Sequence, residues 1–321
     1  MTPKSTQRDP ALDPALDPAL RLGGVALMNG LVVVSSEHWA AAIRETDGSI
    51  SVASGKKPRL PDGGRPGRGG YEGVPVVRGL ARFAESLLVL GLVKKHLPHA
   101  QLPIEGGRVA AALATSLAAG TAVRALTPRS PLAQETGTAL AALIPAVLVV
   151  RNSSVAGYHG AEHKVIGARE EALRAAARSR AAEGDAVGAG GDTAGGSGVS
   201  AREAAALTGD AASAAKEHDR CGSNLVGPFL LATVLTNVLA RGRSGRRTPL
   251  RSAVAGAAGL GVALEGLRWA TTHPRSPLAR AMMLPGRALQ KGLTTSEPTP
   301  EQLEVGERAL AELLRLEKAA V

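Results

Sequence analysis

Seven consecutive residues at 158–164 hold two histidines and a glutamate in the order H-x-x-E-H. On a helix, His159, Glu162 and His163 are three and four residues apart, so their side chains share one face. Two imidazoles at this spacing can bind one divalent metal ion, and the carboxylate beside them can act as general base on water. Two unrelated histidines on a solvated helix end would give the same short pattern. The motif predicts a metal site with two histidine ligands and Glu162 as the catalytic base.

A second polar cluster lies further along the chain, where His218 and Cys221 are three residues apart. Imidazole and thiolate are both good zinc ligands, and either would complete a three-ligand site with an open position. Taken singly, each residue is also compatible with a structural role. Cys221 is the only cysteine, which excludes an internal disulfide and indicates a reducing compartment or a ligand role. These residues predict a divalent metal cofactor, with zinc as the leading candidate.

Charged residues next to apolar segments supply the remaining candidates. Glu265 interrupts an apolar stretch, where a carboxylate is costly and usually has a partner or a function. We predict that Glu265 is a further metal ligand and that Arg78 is suited to hold an anionic substrate. Glu85 is a candidate polar site residue, for which the alternative is a solvated charge or an ion pair with Arg82.

The composition favours helices in a membrane. Apolar residues make up 44% of the chain but aromatic residues only 2%, so small and aliphatic side chains must supply most of the buried surface. Small residues allow helix backbones to approach closely in a bilayer. The net charge is +10, with arginines clustered at the ends of apolar runs, and few aromatics are present to stack on bases. We therefore predict membrane lipid as the partner and expect no nucleic acid; protein partners stay open.

Four stretches without charge are candidates for spanning helices, at 109–123, 136–150, 221–240 and 252–264. A span needs about 20 mainly apolar residues, which only the third stretch provides outright. We predict a mainly α-helical, multi-pass membrane bundle of about four spans, and the alternative is a soluble bundle with buried helices. If the second and third stretches span, the segment between them starts and ends on one face. The two polar clusters then meet at one water–lipid boundary.

The remaining segments are predicted to be soluble. An Asp47-Gly48 pair between two short apolar runs indicates a hairpin within a small β element at 23–54. Thr299 as cap and Pro300 as first residue mark the start of an amphipathic C-terminal helix. The predicted regions are a disordered tail at 1–21, a β-hairpin plus amphipathic helix at 22–108, a membrane region at 109–273 with a disordered insertion at 184–200, and a soluble helical tail at 274–321.

A set of short motifs is spread along the chain: Gly23-Gly24 with Gly30, Arg78-Gly79, Glu85-Ser86, the 158–164 motif, His218, Arg220-Cys221-Gly222, Glu265, Leu293-Thr294-Thr295 and Gln302-Leu303-Glu304-Val305. Together these motifs resemble the YqhQ-like family (domain of unknown function 1385), bacterial membrane proteins often described as metal-dependent enzymes. The resemblance covers roughly residues 22–310. It implies the membrane architecture and supplies no reaction. Asn29 stands where the family's opening motif is expected to carry a glutamate.

Two classes of function fit these observations. The first is a multi-pass protein of the inner or plasma membrane with a metal site at the membrane face, acting as a metal-dependent hydrolase. The second is a non-catalytic membrane scaffold or assembly factor, whose polar clusters only lock helices together. No secretory signal opens the chain, and together with the lone thiol this favours a cytoplasmic face for the motifs.

Overall fold

The computed structural model describes residues 22–61, 70–103, 107–127, 130–151, 153–187, 209–218, 221–240 and 249–319. In this part of the chain one small sheet is followed by helices. The strands are β1 (Gly23–Ala26), β2 (Gly30–Val34), β3 (His38–Arg44) and β4 (Ile50–Lys56). The helices are α1 (Val77–His96), α2 (Gly107–Leu126), α3 (Pro131–Arg151), α4 (Val155–Val187), α5 (Val226–Ala240), α6 (Pro249–Thr272), α7 (Pro277–Leu289) and α8 (Pro300–Ala319).

The predicted β element is an antiparallel sheet in the order β1-β2-β3-β4. The hairpin expected at Asp47-Gly48 joins β3 to β4, where Gly48 has a φ of 86° and the Asp47 carboxylate accepts a hydrogen bond from the Ser49 N–H at 2.9 Å. Strands β2 and β3 are buried on both faces, since helices cover both. One face packs against α1, and the other packs against α4 and α8.

The C-terminal helix α8 begins at Pro300, as the sequence predicts. The Thr299 hydroxyl accepts from the Gln302 N–H at 3.3 Å, and the Gln302 side-chain oxygen accepts from the Thr299 N–H at 3.0 Å. This reciprocal capping fixes the first turn. The apolar stripe of α8, with Leu310 and Leu313 fully buried, packs on β2 and β3. The tail therefore covers the N-terminal sheet.

Three helical segments are long and apolar enough to cross a membrane: Val109–Leu126, Leu132–Arg151 and Gly222–Leu239. The large apolar side chains exposed on them include Leu117 and Leu239, as lipid contact requires. The predicted fourth span, 252–264, lies in α6 but is not among the three. The stretch carries no charge, and Glu265 follows it directly. The count of about four spans therefore stays a prediction, with three candidates found among the described residues.

Two predicted disordered segments lie wholly or largely outside the described residues. The tail at 1–21 is outside them entirely. The insertion predicted at 184–200 begins inside a helix, because α4 continues to Val187, and residues 188–200 lie outside.

Candidate metal centre

The H-x-x-E-H motif lies in the first turns of α4, and Cys221 meets it from a distant part of the chain. His159 Nε2 is 3.1 Å from the Cys221 sulfur. The sulfur also accepts from the Ser223 N–H at 3.4 Å and from the Ser223 hydroxyl at 3.2 Å, at the start of the 3-10 turn Gly222–Leu225. The ligand atoms of His159, His163 and Cys221 all lie within 4.8 Å of one another. We call these three residues the His–His–Cys group.

Hydrogen bonds to backbone carbonyls orient both imidazoles. His159 Nδ1 lies 2.9 Å from the Thr294 carbonyl oxygen, and His163 Nδ1 lies 2.6 Å from the Lys216 carbonyl oxygen. A carbonyl only accepts, so each Nδ1 carries the proton and each Nε2 keeps its lone pair. Carbonyl partners of this kind hold metal-binding histidines in many proteins.

The Nε2 atom of His163 is the test of whether these residues fit a metal. This atom is buried and has no hydrogen-bond partner among the described residues. An unpaired buried nitrogen is costly unless something binds its lone pair. A divalent ion held by His159 Nε2, His163 Nε2 and the Cys221 sulfur would use that lone pair, and this donor set suits zinc. The residues therefore fit the metal that the sequence predicted.

Glu162 is buried beside the His–His–Cys group without being part of it. Burial raises the pKa of its carboxyl, and the neighbouring His159 and His218 oppose that rise. Its side chain packs over Gly24 of β1, where an added Cβ would lie 2.7 Å from the carboxyl carbon. Gly24 of the Gly23-Gly24 motif is therefore required, because a larger residue would collide with this carboxylate.

His218 lies next to the group but has a different partner. Its Nε2 is 3.4 Å from Glu170 Oε1, and its ring centroid is 5.7 Å from that of His163. The His218 backbone N–H donates to the Gln290 side-chain oxygen at 2.8 Å. The structure therefore selects Cys221, rather than His218, as the residue that joins the two histidines.

Glu265 and Arg78, both predicted site residues, bind each other. Arg78 Nε donates to Glu265 Oε1 at 2.7 Å, and Arg78 Nη2 donates to Oε2 at 2.5 Å. This two-point ion pair joins α1 to α6 and has Arg268 at 4.0 Å on its other side. The structure places Glu265 in this pair and not in the His–His–Cys group.

Glu85 is buried and hydrogen-bonded. Its carboxylate accepts from the Leu60 N–H at 2.9 Å and from the Tyr71 hydroxyl at 2.8 Å. The expectation of a solvated charge is wrong, because both flanking segments fold over it. Arg82 instead lies 3.7 Å from Glu72.

The residues that orient the histidines were missed by sequence reasoning. Thr294 belongs to a π-helical turn, Gln290–Thr294, whose first residue is fully buried. Such turns often occur at functional sites because they redirect backbone groups. The Leu293-Thr294-Thr295 motif was the available signal for this turn. Nothing in the sequence marks the carbonyl of Lys216.

A cavity of about 1450 Å³ borders the centre. His159, Glu162, His218 and Cys221 line one part of it. The Arg78–Glu265 pair lines another part, as do all four residues of β1. The predicted site residues other than His163 and Glu85 therefore face one space, although they are not all in contact.

Residues 202–316 match a family model described as "Protein of unknown function (DUF1385)", the family that the motifs resemble. The matched range contains Cys221, Glu265 and the π-helical turn, and it ends within α8. The two motif histidines lie before it. No curated protein and no solved structure matches the chain.

Proposed function

We propose that this chain, whose residues 202–316 match the DUF1385 family model, is a metal-dependent hydrolase with its centre at a membrane face. The ligands would be His159 Nε2, His163 Nε2 and the Cys221 sulfur. The observation that carries the proposal is the buried, unpaired Nε2 of His163 inside the His–His–Cys group. Three protein ligands leave a position open, as catalytic rather than structural zinc sites do.

The neighbouring residues can move the protons that hydrolysis requires. When bound, a divalent ion polarises a substrate carbonyl and makes water a better nucleophile. Glu162 can take the proton from the attacking water, and its burial allows it to hold that proton until the leaving group accepts it. His218 borders the same cavity, with Glu170 beside it, and can serve as a second proton donor.

The segments on either side of the centre support the membrane location. The second candidate span ends at Arg151, shortly before His159, and the third begins at Gly222, directly after Cys221. With these two segments in the bilayer, the centre lies where both emerge. The lone thiol favours the cytoplasmic face.

A scaffold with no metal is less well supported by the same contacts. Polar groups that only lock helices together are normally all paired, because an unpaired one costs stability. The Arg78–Glu265 pair fits that description. His163 does not, since its outer nitrogen has no partner among the described residues.

Metal content of protein purified in mild detergent tests the proposal. We expect about one zinc or similar ion per chain, lost in His163→Ala and retained in His99→Ala, whose imidazole is largely exposed on the surface. Glu162→Gln should keep the metal but hydrolyse an activated ester, p-nitrophenyl acetate, at least about a hundred-fold more slowly. Full metal content in a His159→Ala/His163→Ala double variant would contradict the site. Parent activity in Glu162→Gln would contradict the role of the base.

A further inference from the structure

Strand β1 forms one edge of the sheet, with β2 as its neighbour on one side. The Leu27 N–H donates to the Gly30 carbonyl at 2.8 Å, which closes the β1–β2 hairpin. In an antiparallel pair, hydrogen-bonded and non-hydrogen-bonded positions alternate. Counting back from Leu27, Val25 and Gly23 bond to β2, and the N–H and C=O groups of Gly24 and Ala26 point away from the sheet.

Gly24 is partly exposed and Ala26 is buried, and both line the cavity. Neither Gly24 nor Ala26 has a further backbone partner within the described ranges. Helix α4 packs on one face of the sheet and α1 on the other, and the cavity runs along β1 between them. Proteins normally cover or blunt such an edge, because it readily pairs with another extended chain.

This edge runs directly past the proposed catalytic base. The Glu162 carboxyl lies over Gly24, and the same cavity contains His159 and Cys221. At about 1450 Å³ the cavity exceeds the range of about 300–1,000 Å³ usual for small-molecule sites. A chain paired with β1 would therefore run past the His–His–Cys group with space for its side chains.

We propose that the substrate is an extended polypeptide segment that pairs with β1 as an added strand, an inference that rests on the proposed hydrolase function. Backbone hydrogen bonds to Gly24 and Ala26 would provide the affinity, as in other cases of strand addition. The reaction is peptide hydrolysis with water as co-reactant. Water oxygen bonds to the carbonyl carbon, the C–N bond breaks, and Glu162 passes a proton from water to the leaving nitrogen. The new carboxylic acid gives its proton to the amine, so the products are a carboxylate and an ammonium group.

Two hydroxamates separate this inference from the metal site itself. Acetohydroxamate can only bind the metal, whereas acetyl-tetra-alanine hydroxamate can also pair with β1. With zinc-loaded protein, we expect the peptide compound to bind about ten-fold more tightly or better, since it adds at least two backbone hydrogen bonds. Two further peptide hydroxamates carry N-methyl groups, one on the odd-numbered residues and one on the even-numbered residues. Only every second N–H of the peptide faces β1, so one of these compounds should lose the gain in affinity and the other should keep it.

A variant of β1 gives an independent readout. Ala26→Pro removes an outward N–H without removing a bond to β2, and proline is tolerated at such edge positions. This variant should lose most of the extra affinity of the peptide compound, because one bond is lost and the proline ring stands where the added strand would lie. It should still bind acetohydroxamate like the parent. The N-methyl series needs only the parent protein, so it decides the question even if Ala26→Pro fails to fold.

The outcomes are distinguishable. Equal binding of the two hydroxamates by the parent, or equal effects of the two methylation patterns, would overturn strand addition and leave the metal site intact. Failure of zinc-loaded protein to bind either hydroxamate would contradict the proposed function and this inference with it.

Discussion

His159 and Cys221 are 62 positions apart in the chain, yet the histidine Nε2 lies 3.1 Å from the cysteine sulfur. The two residues are adjacent because α3 ends shortly before His159, α5 begins shortly after Cys221, and these two helices pack against each other. The partner of each Nδ1 then directs the Nε2 atoms of both histidines toward the sulfur. The group is therefore held by three separate parts of the chain.

Gly160 should be essential for packing, and Gly167 on the same helix provides the matched control. A Cβ on Gly160 would lie 2.1 Å from the Ser296 carbonyl oxygen, whereas nothing lies within 4 Å of one on Gly167. We expect Gly160→Ala to lose about 1–3 kcal/mol of unfolding free energy. Gly167→Ala should gain up to about 1 kcal/mol, because alanine favours helix. Thermal unfolding in detergent measures both, and equal unfolding temperatures would contradict the packing described.

Gly24 and Gly23 form a second matched pair, in β1. A side chain at Gly24 would collide with the Glu162 carboxyl, while Gly23 has open space around it. Gly24→Ala should therefore retain zinc but lose most ester hydrolysis, because it displaces the base without touching a ligand. Gly23→Ala should match the parent in both assays. Parent activity in Gly24→Ala would show that Glu162 need not stay where the structure places it.

The Arg78–Glu265 pair should stabilise the fold without contributing to metal binding. Because the contact is bidentate and partly buried, we expect a coupling energy of about 1–3 kcal/mol in a cycle of Arg78→Met and Glu265→Gln. Both single variants should carry as much zinc as the parent. A drop in zinc content in Glu265→Gln alone would restore Glu265 as a ligand.

The orientation in the membrane can be read from a cysteine placed on the sheet. Thr46 is exposed beside the β3–β4 turn, whereas Cys221 is buried and should react slowly. For a cytoplasmic site, Thr46→Cys should be labelled by an impermeant maleimide only after the cells are lysed. Labelling in intact cells would place the sheet, and the metal centre beside it, on the outer face.

Local signals predicted much of the fold. The Asp47-Gly48 turn and the Thr299-Pro300 helix start depend on residues that are neighbours in sequence, and both are confirmed. The span predicted at 252–264 is not among the three candidates found in the described residues, and it stays a prediction.

At the site, the sequence indicated which chemical groups were present but not all of their partners. The spacing of His159 and His163 on one helix face was sufficient to predict that their ligand atoms lie close together. The choice of Cys221 over His218 depends on a turn of a few residues whose geometry no pattern reports. Glu265 was expected at the metal because a charge in an apolar helix needs a partner, and that partner is Arg78 on a distant helix.

Cobalt(II) substitution tests the centre most directly. A cobalt ion bound by two histidines and a thiolate should show a sulfur-to-cobalt charge-transfer band in the near ultraviolet, together with the intense visible bands of low coordination number. We expect Cys221→Ser to lose the charge-transfer band, His163→Ala to lose most bound cobalt, and Glu265→Gln to keep the parent spectrum. Bound cobalt without a thiolate band in the parent protein, or an unchanged spectrum in Cys221→Ser, would contradict a metal centre built on His159, His163 and Cys221.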